Sequence, residues 1–337
     1  MTVMKKISLA KVEYRFYSAL VFSAVLAVAI IVMLVHIQAL MSQIALLENQ
    51  QSGLTTKVAS YEQRLCSNSS QNNQVAHATE FAKYSIQSAG YTRTYQVHAP
   101  ANYDPSVRYP VIVSFDGIEG SGSRMESYAG LDELPAVVVY PDSLPGKLGF
   151  TAWEGAPYSL DGEQDAQFVR SIVSTLPSQY CIDTTRVFAV GMSNGGAFAN
   201  IVGCKLGDQI RAVASISGAY YTSCRQENRT PSLLIVHSAN DKQAPFAGSV
   251  SRRLPHIPSW VEEQATQRGC KTKLPSTTVG SVTHFNWLNC SDTSTLRLTV
   301  LQNQPHGWLM MPEMPELSVQ SSAGYIWKFF EESSYRG

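Results

Sequence analysis

The chain has 337 residues, 44% hydrophobic and only 15% charged, with 26 Lys+Arg balanced by 26 Asp+Glu for a formal net charge of zero. That length allows one large or two ordinary domains, and the apolar content excludes disorder throughout. With no basic excess, and Lys5-Lys6 and Arg252-Arg253 as its only basic doublets, the chain is not built for nucleic acid.

Residues 16–35, FYSALVFSAVLAVAIIVMLV, carry no charge and only Ser18 and Ser23 as mild polar interruptions. As a helix such a run spans about 30 Å, the thickness of a bilayer core, and it is longer than the apolar region of a cleaved signal peptide. Lys5, Lys6, Lys11 and Arg15 precede it against a single Glu13, and after His36 the next basic residue is Lys57. The positive-inside bias therefore predicts a cytoplasmic tail over 1–15, a membrane helix over 16–36, and an extracytoplasmic remainder. Ile37, Leu40, Ile44, Leu47, Gln51, Leu54, Val58, Tyr61 and Leu65 then keep 3-4 spacing. This predicts a short coiled coil over 37–65, through which the chain could self-associate, with Gln51 as a register-setting polar position. Residues 66–88 are polar and aperiodic at first and are expected to form a linker.

From residue 89 to 337 strands and helices alternate. Tyr91–Val97 has the period of a half-buried strand, while Pro110–Phe115 and Ala136–Tyr140 are continuous apolar runs of the kind buried on both faces. A helix over 164–180, a strand at 186–190, a small-residue helix over 194–205 and strands at 212–217 and 233–237 follow. The chain closes with a helix at 258–268, a strand at 296–301 and an amphipathic helix over 319–330. The fold class is α/β, with a mostly parallel, doubly wound sheet.

Gly191-Met192-Ser193-Asn194-Gly195 is a G-x-S-x-G pentapeptide between a strand and a helix. That is the setting of the nucleophile elbow of an α/β-hydrolase fold, in which acid and base follow the serine in that order. Asp208, Asp241 and Asp292 are the only aspartates after Ser193. Asp241 alone sits in a loop at the carboxyl edge of a strand. Of His256, His284 and His306, the last follows the final strand at the same edge. Ser193, Asp241 and His306 are thus the predicted nucleophile, acid and base. The N–H of Asn194 and one from Gly117 or Ile118, in the glycine-rich loop after Phe115, are the expected oxyanion donors. Trp153 and Trp308 are weaker candidates for the wall of a substrate pocket.

The same residues carry a resemblance. Y-T-R-T-Y-Q-V-H-A-P-A-N-Y at 91–103, Val139-Tyr140-Pro141-Asp142, Trp153, Tyr180-Cys181-Ile182-Asp183, G-M-S-N-G-G-A at 191–197 and His306-x-Trp308 resemble the polyhydroxybutyrate depolymerase / feruloyl esterase family of secreted α/β-hydrolases, which includes acetylxylan esterases. The resemblance implies a serine esterase acting on esters, polymeric ones included, with the trio already reached by position. It departs at Asp116-Gly117, where the family has His-Gly. A carboxylate beside a developing oxyanion is unfavourable unless it points away.

Six cysteines fit an oxidising compartment. The expected pairs are Cys270–Cys290, around a two-stranded excursion, and Cys181–Cys204, leaving Cys66 and Cys224. No C-x-x-C or histidine cluster suggests a metal, and no cofactor is expected. The sequence-level reading is a membrane-anchored extracytoplasmic serine esterase; the alternatives are a peptidase on the same fold and a membrane-tethered binding protein.

Overall fold

In the computed structural model the described residues are 26, 29–44, 46, 66, 82–223, 229–308, 310 and 321–334. The chain divides into two units, Met1–Arg64 and Leu65–Gly337. In the first, residues 29–44 are helical. Among the described residues no helix is long and apolar enough to cross a membrane. The expected tail over 1–15, positions 16–25, 27 and 28 of the expected span, and positions 45 and 47–65 of the expected coil lie outside the described residues.

The second unit runs β1 (Ala82–Ser88), β2 (Tyr91–His98), β3 (Tyr109–Phe115), α1 (Gly122–Ala129), β4 (Val137–Pro141), the two-residue β5 (Leu144–Pro145) and β6 (Thr151–Ala152), α2 (Gln164–Thr175) and β7 (Ile182–Met192). It continues with α3 (Asn194–Lys205), β8 (Ala212–Ile216), β9 (Ser232–Ser238), α4 (Ile257–Gln267), β10 (Thr272–Lys273), β11 (Thr277–Val279), β12 (Val282–Leu288), β13 (Leu296–Leu301) and α5 (Ser322–Ser334). The main sheet has the order β1-β2-β4-β3-β7-β8-β9-β13-β12-β10, with β11 paired to β12. From β4 to β13 every pairing is parallel. β1 and β2 extend one edge antiparallel, and β12 and β10 the other.

The pleat sends alternate side chains to two cores. Val111, Val113 and Phe115 of β3 and Val137 and Val139 of β4 join Phe168 and Ile172 of α2, Phe198 of α3 and Trp260 of α4 on one face. Ile112, Val138 and Tyr140 point the other way, toward Met125 of α1 and Phe329 and Phe330 of α5. Two covered faces explain why these strands read as unbroken apolar runs rather than alternating ones. This is the α/β-hydrolase arrangement: helices on both sides of a mostly parallel sheet.

Two expectations change. The stretch read as linker over 66–88 contains β1: Ala82–Ser88 pairs residue for residue with Tyr91–Val97. Alternating exposure there leaves only a weak periodic signal in AKYSIQS. Cys181 is bonded to Cys66 rather than to Cys204, while Cys270 is bonded to Cys290. Cys204 is itself disulfide-bonded. The pairing of Cys181 with Cys204 fails on length. β7 has 11 residues and α3 has 12, so from the elbow the strand runs back roughly 35 Å and the helix only about 18 Å. That leaves Cys204 about midway along the sheet, beyond the ~7 Å between Cα atoms that a disulfide tolerates.

Candidate active site

β7 delivers Ser193 to the carboxyl edge of the sheet, where the chain turns into α3 within one residue. Ser193 takes φ 57° and ψ −117°, a conformation that non-glycine residues adopt only when their surroundings enforce it. Its N–H donates to Ile216 O at 2.9 Å, and its carbonyl accepts from Ala219 N–H at 3.1 Å. The flanking glycines are required by contact. A Cβ on Gly195 would lie 2.3 Å from both Phe115 O and Asp116 O, and one on Gly191 would lie 2.2 Å from Gly195 O.

Around Ser193 the three residues singled out by chain order come together. Ser193 Oγ lies 2.8 Å from His306 Nε2, and His306 Nδ1 lies 2.7 Å from Asp241 Oδ2. A carboxylate can only accept, so Nδ1 carries the proton and Nε2 is left to accept from the serine hydroxyl. Asp241 Oδ1 accepts from the N–H groups of Gln243 and Ala244, both at 2.8 Å. Burial alone would raise the Asp241 carboxyl. The hydrogen bond and charge of His306 and the Ala244 N–H outweigh it and hold the group below the usual carboxylate range. His237, fully buried, stands 3.5 Å from Asp241 Oδ2 and donates Nε2–H to Ala244 O. Burial lowers its own pKa, so it braces the acid loop as a neutral ring. The His306 loop is tied down at two points, by Ser217 Oγ, just past β8, donating to Gly307 O and by Ser238 Oγ of β9 donating to Gln304 O.

The other candidates go elsewhere. His256 caps α4 through Ser259, and His284 is buried against Thr299 and Tyr325. Asp208 pairs with Arg170 on the surface, and Asp292 accepts from Thr230 N–H.

Of the expected oxyanion donors, the Gly117 N–H is engaged by the Asp116 carboxylate at 2.7 Å and does not face an incoming substrate. Asn194 N–H opens α3, where no intrahelical acceptor exists. Ile118 N–H has no backbone acceptor among the described residues. Trp153 is not a pocket wall. It is 1% exposed, stacks on Phe198 and donates its indole N–H to Asp116 O at 3.0 Å. The Asn194 side chain grips Trp153 on both sides, its Oδ1 accepting from Trp153 N–H and its Nδ2 donating to Trp153 O. Trp308 is half-buried beside Tyr128, the ring centroids 6.2 Å apart.

Sequence profiles agree with this geometry. The profile of the Esterase family matches residues 86–270, more than half of the chain. The chain belongs to the esterase family. These are carboxylic ester hydrolases, and the likeness within them is of feruloyl-esterase type. The chain is 33% identical over 123 residues to feruloyl esterase B of Piromyces equi, covering 35% of this chain and 22% of that one. Against a probable feruloyl esterase C of Aspergillus terreus it is 28% identical over 167 residues, 47% of this chain and 58% of the relative. A bifunctional acetylxylan esterase/xylanase of Neocallimastix patriciarum is 28% identical over 229 residues, 65% of this chain and 31% of the relative. The chain thus spans between about a fifth and three-fifths of the length of these relatives. Among solved structures, an acetyl xylan esterase from Aspergillus awamori superposes with a TM-score of 0.56 at 14% identity, over 74% of this chain and 99% of that one. At that identity the match speaks for the fold alone.

Proposed function

We propose that this esterase-family protein hydrolyses carboxylic esters by an acyl-enzyme route through Ser193, His306 and Asp241, and that it does so outside the cytoplasm, held to a membrane by residues 16–36. The observation that carries this reading is the continuous Ser193–His306–Asp241 hydrogen-bonded chain on a strained elbow. His306 Nε2 takes the Ser193 proton as Oγ attacks the acyl carbon. The imidazolium so formed is stabilised by Asp241, whose ionised state is favoured by its neighbours. The N–H groups of Asn194 and Ile118 receive the oxyanion, the alcohol leaves with the proton from His306, and water repeats the sequence to release the acid. The names of the relatives favour feruloyl or acetyl esters on polysaccharide, with polyhydroxyalkanoate as the further polymeric class to assay. Disulfides at Cys66–Cys181 and Cys270–Cys290 suit an oxidising compartment. The uncharged run over 16–35 behind a basic tail supports the anchor, and the 3-4 spacing over 37–65 supports self-association beside it.

The test is fractionation of cells expressing the full chain, with p-nitrophenyl acetate, butyrate and methyl ferulate as substrates. Activity is expected in the membrane fraction, released by detergent, and reduced about 10⁶-fold toward the uncatalysed rate by Ser193→Ala. Activity untouched by Ser193→Ala refutes the mechanism. Activity wholly in the soluble fraction refutes the anchor.

A further inference from the structure

Asp116, 1% exposed, occupies the position where the resembling family carries histidine, at the start of the loop that holds Ile118. Its carboxylate is engaged by its own loop and by α1. Five donors surround it: Gly117 N–H at 2.7 Å and Tyr128 O–H at 2.5 Å on Oδ1, with Arg124 Nη2 at 3.2 Å, and Arg124 Nε at 2.7 Å and Ser121 N–H at 3.2 Å on Oδ2. The loop is wound tightly enough around this group that a Cβ on Gly120 would lie 2.4 Å from Asp116 Cγ. Arg124 and Tyr128 project from α1, which Ser121 caps by accepting from Arg124 N–H. The Tyr128 ring in turn meets Trp308, two residues beyond His306. One cluster therefore touches both the loop carrying the second oxyanion donor and the loop carrying the base.

We infer that Asp116, Arg124 and Tyr128 form a latch that positions the Ile118 N–H for the oxyanion. The inference rests on the proposed ester hydrolysis and adds positioning residues to it. The carboxylate, fixed on Gly117 N–H, turns the preceding peptide away and leaves the next N–H facing the elbow. Arg124 neutralises the charge that would otherwise oppose a developing oxyanion. Arg124 and Tyr128 are positioning residues that act through Asp116 and the backbone of residues 116–118.

The test compares full-length wild type with Arg124→Ala and Tyr128→Phe on p-nitrophenyl acetate, with thermal unfolding as the check on folding. Arg124 is about half exposed, so its truncation leaves a site that added guanidinium can enter. The expectation for Arg124→Ala is a kcat lowered about 10- to 100-fold, since misplacing one oxyanion donor costs part of what deleting it does. KM should stay nearly constant, and non-denaturing guanidinium chloride should restore part of the loss. Affinity for a trifluoromethyl ketone, which forms a tetrahedral oxyanion on the serine, should fall in step with kcat/KM. Tyr128→Phe should show the same pattern at several-fold, and it carries the test should Arg124→Ala not fold. Wild-type kcat in a folded Arg124→Ala, or a loss that lies in KM and ignores guanidinium, overturns the latch while leaving the esterase reading intact. Absence of ester hydrolysis by the wild type instead overturns the esterase reading, and the latch with it.

Discussion

Asp241 divides its two oxygens between different tasks. Oδ2 orients His306, while Oδ1 is fixed by two backbone N–H groups of its own turn. Because the folded environment depresses its pKa, the ionised carboxylate stabilises the native state above the unfolded carboxylate pKa. That contribution disappears as pH falls through the folded value. Wild-type unfolding free energy is therefore expected to decline on acidification below about pH 4. Asp241→Asn should flatten that part of the profile in urea unfolding followed against pH, and a slope unchanged by the substitution would contradict the assignment. At neutral pH the same variant should lose about 10⁴-fold in kcat, because the amide can hold His306 in the wrong tautomer. That Ser193, Asp241 and His306 would meet was legible in the sequence, because chain order and strand ends leave few options. The Arg124–Asp116–Tyr128 cluster and the Trp153–Asn194 grip were not. Their partners lie 8 to 41 residues apart, and no periodicity marks a contact made by the shape of a loop.

At the scale of elements, the site is a junction between β7 and α3, each useless to Ser193 without the other. The close approach of Gly195 to the β3 terminus lets α3 start directly under the loop that follows Phe115. Gly195→Ala should push that helix away from Phe115 O and Asp116 O. A stability loss of roughly 1–3 kcal/mol is expected for such overpacking, with a larger proportional loss of activity. Denaturant unfolding and steady-state kinetics on the same preparation measure the two effects, and a fully active Gly195→Ala would show that the junction has more room than its contacts indicate. Behind this junction, Arg93 pairs with Asp165 at 2.8 Å with both side chains buried, and Lys205 of α3 reaches Glu154 at 3.1 Å. The Glu154 carboxylate accepts from the first N–H groups of α2, while Asp165 accepts from Glu154 N–H. These pairs fix the segment that carries Trp153. The parallel strands were readable because burial on both faces produces runs such as PVIVSF. β1, exposed on alternate residues, and the two-residue β10 lack that signal, and α1 has too short an apolar face to stand out.

For the whole molecule, the bond between Cys66 and Cys181 encloses a chain segment of 115 residues. A loop of that length is worth about 4–5 kcal/mol in the chain-entropy account. The double variant Cys66→Ser, Cys181→Ser should unfold at distinctly lower urea concentration while its pre-transition activity stays near wild type, since Ser193 lies at the other end of β7. Unchanged stability would mean that the enclosed segment is already constrained in the unfolded chain. The bond also determines how the domain bears load. A pull on the chain ahead of residue 66 crosses the disulfide to Cys181 and enters β7 directly, so β1 and β2 lie outside the line of tension and the sheet is not unzipped from its edge. β7 is flanked by parallel partners on both sides, β3 over Val187–Gly191 and β8 over Phe188–Met192, so in its Ser193-side half the force meets it as shear along two ladders. A pull on residue 66 is thus carried along β7 toward Ser193, on a strand held between two others rather than at the edge of the sheet.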